Sequence, residues 1–365
     1  MKEFNNFYAV IMAGGGGTRL WPLSRKKTPK QVVNITGETT LFQMSVDRLK
    51  DLFPYHQIFV VTVADQVELL SELVPEIPKS NYLIEPFPKG TASVVGYAAT
   101  YLNYHFPNSV MAVLTADHFI QNISEFHTLL KNGYSIAEKE FLVTLGIQPT
   151  YPSTGFGYIQ HDQDVNEIEG ISAFRVKKFK EKPRLEIAKS MIESGDHLWN
   201  SGMFIWKTDV ILNEFRHQMP ELFSILDQLN QALMNGSLRE IINDVWVKIK
   251  PETIDYGIME NANNVIVIPA IDLGWNDVGS WESLFDVIAS NENGNILIGQ
   301  NHFNLETKNS LVYSQTPDKL IATIGLENII VVEVGNTILV CSREKAQEVK
   351  TIVKYLNDHG MVDYL

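Results

Sequence analysis

Near the start of the chain stands the stretch Met12-Ala13-Gly14-Gly15-Gly16-Gly17-Thr18-Arg19-Leu20-Trp21-Pro22-Leu23-Ser24-Arg25-Lys26-Lys27-Thr28-Pro29-Lys30-Gln31. Four consecutive glycines follow an apolar run at residues 7–12, and five cations lie between positions 19 and 30. Glycines let successive backbone N–H groups approach a ligand closely, and cations add charge-assisted hydrogen bonds to phosphate oxygens. The stretch therefore predicts a cradle for a polyphosphate. A glycine-rich turn with a solvated basic surface is the alternative.

Two well-known phosphate loops do not fit this stretch. A P-loop requires Gly-Lys-Ser/Thr after its glycines, and no such triplet follows here. A dinucleotide fingerprint requires a third glycine on a helix that opens at once, but Arg19 holds that place and Trp21-Pro22 follows. Pro22 and Pro29 also argue against a helix, so we expect a stiff loop.

Composition and charge exclude several classes of protein. The chain has 365 residues, beyond the size at which one core usually stops growing, so a large domain plus a small one is expected. Its net charge of −13 argues against nucleic-acid binding, which depends on a basic face. We see no secretory signal and no run that could span a bilayer, and the single cysteine, Cys341, cannot form an internal disulfide. These features predict a cytoplasmic protein that binds neither membrane nor nucleic acid.

Apolar runs alternate with helical patterns through the first two thirds of the chain. This alternation predicts an α/β fold with a doubly wound, mostly parallel sheet, whose ligands bind at the carboxyl ends of the strands. The predicted strands are 7–12, 58–63, 82–84, 110–115, 141–147, 171–179, 202–206 and 265–269, and the predicted helices are 41–53, 64–73, 91–104, 184–194 and a broken 209–245.

A polar, turn-rich segment at residues 291–295 predicts a domain boundary. Short strand-like runs and a final helix near 343–356 follow it. We therefore predict a catalytic domain at residues 1–290 and a small β domain at residues 291–365.

Two acidic residues, 160 positions apart, are candidate metal ligands. Asp117 ends an apolar strand in Leu114-Thr115-Ala116-Asp117-His118, where a carboxylate can hold Mg²⁺ or cap the next helix. Asp277 lies in Gly274-Trp275-Asn276-Asp277-Val278-Gly279-Ser280-Trp281, either in a rigid functional loop or in a packed turn with a solvated carboxylate. Only the fold can bring the two together.

The run from Arg19 to Arg25, with Pro29-Lys30-Gln31, resembles the sugar-1-phosphate nucleotidylyltransferases. Its Trp-Pro-Leu-Ser-Arg form is similar to the mannose-1-phosphate guanylyltransferase branch, and the resemblance extends over nearly the whole chain. It implies a GT-A/Rossmann-like catalytic domain, a C-terminal left-handed β-helix, a Mg²⁺ cofactor, a homodimer, and GTP and mannose 1-phosphate as substrates.

The same resemblance implies roles for particular residues, matched motif by motif. The implied nucleotide-binding residues are Ala13, Gly14, Gly15, Gly16, Gly17, Thr18, Arg19, Lys30, Glu85, Gly90, Thr91 and Asp117. The implied sugar-phosphate-binding residues are Gly157, Glu181, Lys182 and Asn200, the implied metal ligands are Asp117 and Asp277, and the implied catalytic residues are Arg19, Lys30, Asp117, Lys182 and Asp277. Taken without the resemblance, the segments that contain Gly157, Lys182 and Asn200 also fit a strand start, an exposed strand end and a turn.

One segment departs from the family pattern, which places Arg-Asn before Thr-Ala. Here the pair is Lys89-Gly90, so the guanidinium fork and one amide side chain are missing. This departure leaves two alternatives to GDP-mannose synthesis: a nucleotidylyltransferase for another base or sugar phosphate, and a catalytically silent subunit that binds nucleotide sugar.

Overall fold

The structure is a computed structural model, and it describes residues 4–14, 17–35, 39–162, 166–168 and 170–365. Its strands are β1 Phe7–Met12, β2 Ile58–Val63, β3 Tyr82–Glu85, β4 Val110–Thr115, β5 Phe119–Ile120, β6 Leu142–Ile147, β7 Tyr158–His161, β8 Asn166–Ile168, β9 Ile171–Lys180, β10 His197–Lys207, β11 Val265–Ala270, β12 Trp275–Asn276, β13 Ile296–Ile298, β14 Asn301–Leu305, β15 Leu311–Ser314, β16 Leu320–Ile324, β17 Ile329–Val334 and β18 Thr337–Ser342. Its α-helices are α1 Leu41–Asp47, α2 Ala64–Leu73, α3 Thr91–His105, α4 Ile123–Ala137, α5 Leu185–Ser194, α6 Thr208–Gln218, α7 Pro220–Asn235, α8 Leu238–Trp246 and α9 Val349–Asp358.

The chain forms two compact units, and the first contains a large mixed sheet. This unit comprises the described residues up to Ala13 together with Arg48–Thr115 and Gln121–Leu273. Its strand order is β3-β2-β1-β4-β10-β6-β11-β9-β7, with β8 beside β9. Strands β1 to β4 pair in parallel, as predicted, because helical crossovers connect most of them.

The predicted α/β fold is confirmed, but β10 inserts antiparallel between β4 and β6. Strands β7 and β9 are also antiparallel to each other. The sheet is therefore less parallel than predicted in its second half. Strands β7 to β9 follow one another through short connections, which suit antiparallel pairing, whereas β10 pairs with strands that are far from it in sequence.

The carboxyl ends of the first parallel strands lie along one sheet edge. Met12 pairs with Thr115, and Val63 pairs with Glu85. The chain leaves this edge toward the glycine stretch after β1 and toward Asp117 after β4. Such edges are where open α/β sheets bind ligands.

Helices on both sides bury a continuous apolar core in this unit. Trp206, Phe215 and Trp246 are among its fully buried side chains. The predicted helical segment 209–245 is divided into α6, α7 and α8, with Pro220 opening α7 and Gly236 ending it at φ +72°. Helix α4 was not predicted, although its Asn-x-x-Glu start is a recognised N-terminal signature.

The second unit comprises Gly14–Asp47, Ala116–Ile120 and Gly274–Leu365. Strands β13, β15 and β17 stack in parallel, as do β14 and β16, so successive turns of chain build the predicted β-helix. A separate core holds this unit together, with Leu20, Trp281 and Ile330 buried in it. The predicted division at residue 290 stays a prediction.

No helix in the described part of the chain is long and apolar enough to cross a bilayer.

Candidate active site

The basic stretch folds back on itself within the second unit. Gly17 has φ +55° and precedes a short 3-10 turn, Thr18–Leu20, while Lys30 opens another. A Cβ on Gly17 would overlap the Cβ of Lys30, so only glycine fits at this crossing. Ser24 Oγ donates a hydrogen bond to the Gly17 carbonyl. The loop therefore holds the Lys30 side chain directly against Gly17.

The Trp-Pro-Leu-Ser-Arg segment is a structural anchor for this loop. Trp21 is buried, and its carbonyl accepts a hydrogen bond of 2.9 Å from Trp281 Nε1. Arg25 donates to the Pro22 carbonyl and to Thr337 Oγ1, each at 3.0 Å. The Arg25 guanidinium is therefore bound to the protein itself, which explains its place in the motif without a phosphate contact.

A cavity of about 230 Å³ opens beside the folded loop. It gathers most of the residues predicted for the phosphates and the metal, although they come from three separate segments of sequence. Its lining consists of Gly14, Gly17, Arg19, Leu20, Lys30, Gln31, Asp117, His118, Asp277 and Gly279. Thr18 lies in the adjoining 3-10 turn. The predicted ligands Gly15 and Gly16 lie outside the described residues.

The Lys30 ammonium connects the two candidate metal ligands. Its Nζ donates to Asp117 Oδ2 at 2.7 Å and to the backbone carbonyl of Asp277 at 2.8 Å. The Lys30 side chain is only 12% exposed, whereas that of Asp117 is 35% exposed. The fold thus brings both aspartates to one cation, and the Asp117 carboxylate still faces the cavity.

The pKa values of Asp117 and Asp277 are shifted in opposite directions. Burial acts to raise the pKa of Asp117, but the Lys30 charge and hydrogen bond, with His118, outweigh burial and lower this pKa. Burial raises the pKa of Asp277, and the Asp117 charge adds to this rise, whereas the Lys30 charge, a Gly279 hydrogen bond and the Arg19 charge act to lower it. The pKa of Asp117 is therefore lowered, whereas the nearby cations offset the burial of Asp277 only in part.

The loop that carries Asp277 is locally strained. Val278 has φ +47°, a left-handed conformation that β-branched residues rarely adopt. Side chains stabilise the turn, because Asn276 Oδ1 accepts from the Val278 N–H at 2.7 Å and Asp277 Oδ1 accepts from the Gly279 N–H at 3.1 Å. Strain of this kind clusters at functional sites.

Helix capping does not explain Asp117. Helix α4 is capped by Asn122, whose Oδ1 accepts from the Glu125 N–H at 3.1 Å. His118 has a structural contact, because its Nδ1 accepts a hydrogen bond of 3.1 Å from Trp275 Nε1.

The donor set at the cavity fits a magnesium ion. Among the residues the structure describes, no group of three or more histidine, cysteine or acidic side chains forms a complete metal cage. Mg²⁺ is usually held by one or two carboxylates together with water and substrate phosphates. Asp117 and Asp277, two carboxylates that line the same cavity, match that pattern.

The first unit contains the residues predicted for the sugar phosphate. Gly157 lies against Glu181, whose Oε2 takes the space that a Cβ on Gly157 would need. The Gly157 carbonyl accepts from the Asn200 N–H at 2.8 Å. Lys182 Nζ donates to Glu181 Oε1 at 2.7 Å, and Lys182 itself has φ +42°. The fold therefore brings all four residues together.

A β-bulge positions Asn200. The β10–β6 register shifts between Asn200 and Phe204, and Gly202 within the bulge has φ +69°. Bulges beside active sites commonly re-aim a side chain. Here the Asn200 Oδ1 accepts from the Gly202 N–H at 3.1 Å, which fixes the orientation of the amide.

Sequence reasoning missed Asp255, which belongs to the same group. Its Oδ1 accepts a hydrogen bond of 2.6 Å from Asn200 Nδ2. Burial raises the pKa of Asp255, and the negative charge of Glu181 raises it further, against smaller effects of Asn200 and Lys182. Asp255 begins a π-helical turn, Asp255–Met259, a rare structure often found at functional sites. No spacing rule in the sequence identifies such a turn.

The Lys89-Gly90 pair, which differs from the family pattern, is explained by packing. Lys89 Nζ donates to the Ile249 carbonyl at 2.6 Å, and Thr91 Oγ1 accepts from the Ile254 N–H at 2.9 Å. Gly90 has φ +87°, and a Cβ there would overlap the Glu252 carbonyl. The segment is therefore packed tightly against residues 249–254. The predicted nucleotide ligands Gly90 and Thr91 have structural contacts here.

Ala13 and Glu85 lie at the strand ends of the same unit. The Ala13 carbonyl accepts a hydrogen bond from Thr62 Oγ1 at 2.8 Å. The Glu85 carboxylate is 2% exposed, and its Oε2 has no hydrogen-bond partner within the described residues. Burial raises the pKa of Glu85 to about 7, although a backbone hydrogen bond from Lys89 acts to lower it. A buried carboxylate with one oxygen that lacks a partner among the described residues is a functional candidate.

Replacing Gly90 with alanine should destabilise the first unit by about 2 kcal/mol or more, because positive φ and the Glu252 contact both oppose a Cβ. Urea unfolding measures this loss. Gly195→Ala is the matched control, since Gly195 has φ +73° with open space around it. Equal losses in the two variants would contradict the packing explanation.

Known proteins resemble this chain along its length. The model of the nucleotidyl transferase family matches residues 8–294, and the model of the mannose-P isomerase/GMP-like β-helix domain matches residues 300–356. The chain is 34% identical to the mannose-1-phosphate guanylyltransferase of Klebsiella pneumoniae, over 97% of this chain and 75% of that protein. It is 33% identical to the enzyme of the same name from Escherichia coli K12, over 98% of this chain and 74% of that protein.

A solved structure from Thermus thermophilus, described as a mannose-1-phosphate geranyltransferase, has the same fold. It superposes with a TM-score of 0.86 at 30% sequence identity, over 96% of this chain and 99% of that one. These matches confirm the family resemblance that the sequence motifs indicate.

Proposed function

This chain belongs to the nucleotidyl transferase family, and we propose that it joins GTP and α-D-mannose 1-phosphate into GDP-mannose and pyrophosphate. One observation carries the proposal. The Lys30 ammonium binds Asp117 and the Asp277 backbone beside a glycine-lined cavity, so cationic and acidic groups converge where a triphosphate would bind.

The reaction requires little proton transfer. A phosphate oxygen of the sugar phosphate forms a bond to the α-phosphorus of GTP, and the bond from that phosphorus to the bridging oxygen of pyrophosphate breaks. The attacking oxygen is already anionic, so no general base is needed. The obstacle is repulsion between two anions, and we assign catalysis to positioning and charge stabilisation.

Each group of residues then has a distinct task. Backbone N–H groups of the glycine loop, with Arg19 and Lys30, hold the triphosphate and stabilise the departing pyrophosphate. Lys182 holds the attacking phosphate. Asp117 and Asp277 would hold Mg²⁺, which, when bound, supplies charge neutralisation at the phosphate oxygens.

The proposal is tested by measuring pyrophosphate release with GTP, ATP, CTP, UTP and dTTP, each paired with several sugar 1-phosphates. We expect turnover with GTP and mannose 1-phosphate to exceed every other pair by at least about tenfold. A clear preference for another pair would identify a different nucleotidylyltransferase, and no turnover with any pair would favour the silent subunit. The Lys89-Gly90 departure does not favour that subunit, because packing accounts for it.

We propose that Glu85 contributes to nucleotide binding through its carboxylate. Guanine offers two adjacent N–H donors on its Watson–Crick edge, and a carboxylate is an acceptor that can take both. Its Oε2, which has no hydrogen-bond partner in the part of the chain that the structure describes, lies at the end of β3 and is suited to such donors.

Glu85→Gln should change how stability depends on pH. Because burial raises the pKa of Glu85 from 4.5 to about 7, the folded protein disfavours the ionised form. The contribution of Glu85 to wild-type stability should therefore be greatest below pH 4.5 and fall as the pH rises toward 7, by up to about 3 kcal/mol. The variant lacks this fall. In urea unfolding, its free energy of unfolding should therefore exceed that of wild type by more at pH 8 than at pH 5.

Calorimetry of GTP binding separates a functional Glu85 from a merely buried one. Bound guanine would favour the ionised carboxylate, so wild type should release more protons on binding GTP near pH 7 than the Gln variant does. Equal proton release by both proteins would remove Glu85 from the nucleotide site. Asp227→Asn, a change at an exposed position on α7, is the control.

The homodimer and the cytoplasmic location remain predictions. Sedimentation of the purified chain tests the first.

A further inference from the structure

The Arg25 side chain binds the last hairpin of the β-helix as well as its own segment. Its Nε donates to the Pro22 carbonyl at 3.0 Å, and its Nη2 donates to Thr337 Oγ1 at 3.0 Å and to the Val334 carbonyl at 3.4 Å. Its Nη1 donates to the Asp363 carbonyl at 3.4 Å. Val334 ends β17 and Thr337 begins β18, so the guanidinium lies against the turn between these strands. This contact joins two segments that are 312 positions apart in the sequence.

The hairpin side of this contact is held in a fixed geometry. Thr337 is 8% exposed, and its Oγ1 donates to Asn336 Oδ1 at 3.0 Å while it accepts from Arg25. Thr337 pairs with Val334 in the antiparallel β17–β18 ladder, and Gly335 between them has φ +58°. A two-residue turn of this kind fixes the register of the strands that it connects. The acceptors on the turn therefore have defined positions.

Arg25 lies at the junction between the two halves of the phosphate loop. On one side, Ser24 is buried, and its Oγ donates to the Gly17 carbonyl. On the other side, the Arg25 N–H donates to the Thr28 carbonyl at 2.9 Å, and the Thr28 N–H donates back at 3.0 Å. Lys30, which lines the cavity, follows two residues later. A displacement of Arg25 would therefore move both Gly17 and Lys30.

The phosphate loop needs a support of this kind because of its composition. Four consecutive glycines occupy positions 14–17 of the sequence. Glycine loses more conformational freedom on ordering than any other residue. Binding of a phosphate to such a loop has an entropic cost, which is smaller when the flanking chain is already held in place. The hydrogen bonds of Arg25 hold that flanking chain from outside the glycine run.

We propose that Arg25 is a positioning residue of the nucleotide site, which transmits the position of the β17–β18 turn to Gly17 and Lys30. Thr337 is its partner on the turn. The β-helix thereby contributes to nucleotide binding without contacting the nucleotide. This inference rests on the proposed function, and it adds a role for the β-helix that the sequence motifs do not assign.

Calorimetry of GTP binding with Mg²⁺ tests this role in wild type, Arg25→Met and Thr337→Val. Methionine donates no hydrogen bond, and valine has nearly the shape of threonine without its hydroxyl. Because hydrogen bonds of a charged donor are lost, Arg25→Met should weaken GTP binding by about ten- to a hundredfold, and Thr337→Val by about three- to tenfold. The KM for mannose 1-phosphate should stay within about twofold of wild type, since Lys182 is assigned to that substrate.

The double variant shows whether Arg25 and Thr337 act together. If Thr337 acts through Arg25, the double variant should bind GTP no more weakly than Arg25→Met alone. Fully additive losses would show that the two residues act independently, and they would overturn the proposal. An Arg25 that contacts phosphate directly would leave Thr337→Val with wild-type affinity, which is a second result that overturns it.

Thr323→Val is the matched control for a general weakening of the β-helix. Thr323 is 4% exposed in β16, and its Oγ1 donates to Asn304 Oδ1 at 2.6 Å and accepts from Thr307 Oγ1 at 2.9 Å. Like Thr337→Val, the change removes a buried hydroxyl that both donates and accepts. The two variants should lose comparable stability in urea unfolding, but only Thr337→Val should bind GTP more weakly. Equal weakening of GTP binding in both would contradict the assigned role.

Hydrogen exchange without nucleotide provides a readout that does not depend on turnover. The N–H groups of Leu20, Ser24 and Thr28 are hydrogen-bonded within the loop, and their exchange should be about tenfold faster in Arg25→Met but unchanged in Thr323→Val. Unchanged exchange in Arg25→Met would overturn the proposal, and Arg25→Lys serves for the same measurements if the methionine variant does not fold. Failure of wild type to bind GTP would refute the proposed function instead, while the exchange rates would still decide whether Arg25 holds the loop.

Discussion

Asp117→Asn should lower kcat by about a thousandfold or more while leaving the fold intact. Asparagine keeps the size of the side chain and one oxygen for the Lys30 ammonium, which lies 2.7 Å from Asp117 Oδ2. It removes the negative charge that would hold Mg²⁺ against the phosphates. Losing one preorganised electrostatic group commonly lowers turnover by about a hundred- to a thousandfold, and a metal ligand should lie at the upper end.

Steady-state pyrophosphate release measures this loss, and calorimetry adds a readout that does not depend on turnover. Wild type should bind GTP more tightly with Mg²⁺ than without it, and the variant should lose most of that difference. Asp318→Asn, which removes an exposed carboxylate in the same unit, should behave as wild type. Near-normal turnover by Asp117→Asn would refute the metal assignment.

Lys182→Ala should lower kcat/KM for the sugar phosphate by about a hundred- to a thousandfold. The Lys182 ammonium lies 2.7 Å from Glu181 Oε1 and is largely exposed, so it is available to a phosphate. Lysine and alanine both carry a Cβ, so the energetic cost of the backbone conformation at φ +42° should change little. The effect should then report the lost charge.

The kinetic pattern distinguishes this role from a structural one. The KM for GTP should be nearly unchanged, since Lys182 is assigned to the sugar phosphate alone. Lys182→Arg should recover part of the activity because it retains the positive charge. Lys180→Ala, an exposed lysine at the end of β9, is the matched control and should be close to wild type. Equal losses in the two alanine variants would point to a general effect of surface charge.

Local patterns predicted the elements of this fold well. The predicted helix 64–73 coincides with α2, and the predicted strand 110–115 coincides with β4. Hydrophobic periodicity succeeds there because it depends only on neighbouring residues. The antiparallel insertion of β10 could not be predicted this way, since strand partners are chosen by contacts far apart in sequence.

For the site, too, short patterns identified some residues and missed others. Glycines, cations and acids with family spacing identified Lys30, Asp117 and Lys182 as candidates from sequence. Asp255 was not identified from sequence, because its position beside these residues depends on a π-helical turn and on an amide 55 positions away. The same limit applies to Arg25, because its residue type and spacing do not reveal its contacts with Pro22 and Thr337.

The amino-acid sequence by itself determined the α/β class and the family, and it identified the glycine-rich loop as a candidate phosphate site, because these depend on residue type and short spacing. Only the tertiary structure decided that residues 14–47 pack with residues 274–365, and that Lys30 binds both Asp117 and Asp277. The physical reason is that a carboxylate's charge balance depends on which cation folding brings within hydrogen-bonding distance. No local pattern encodes that distance across 247 positions of chain.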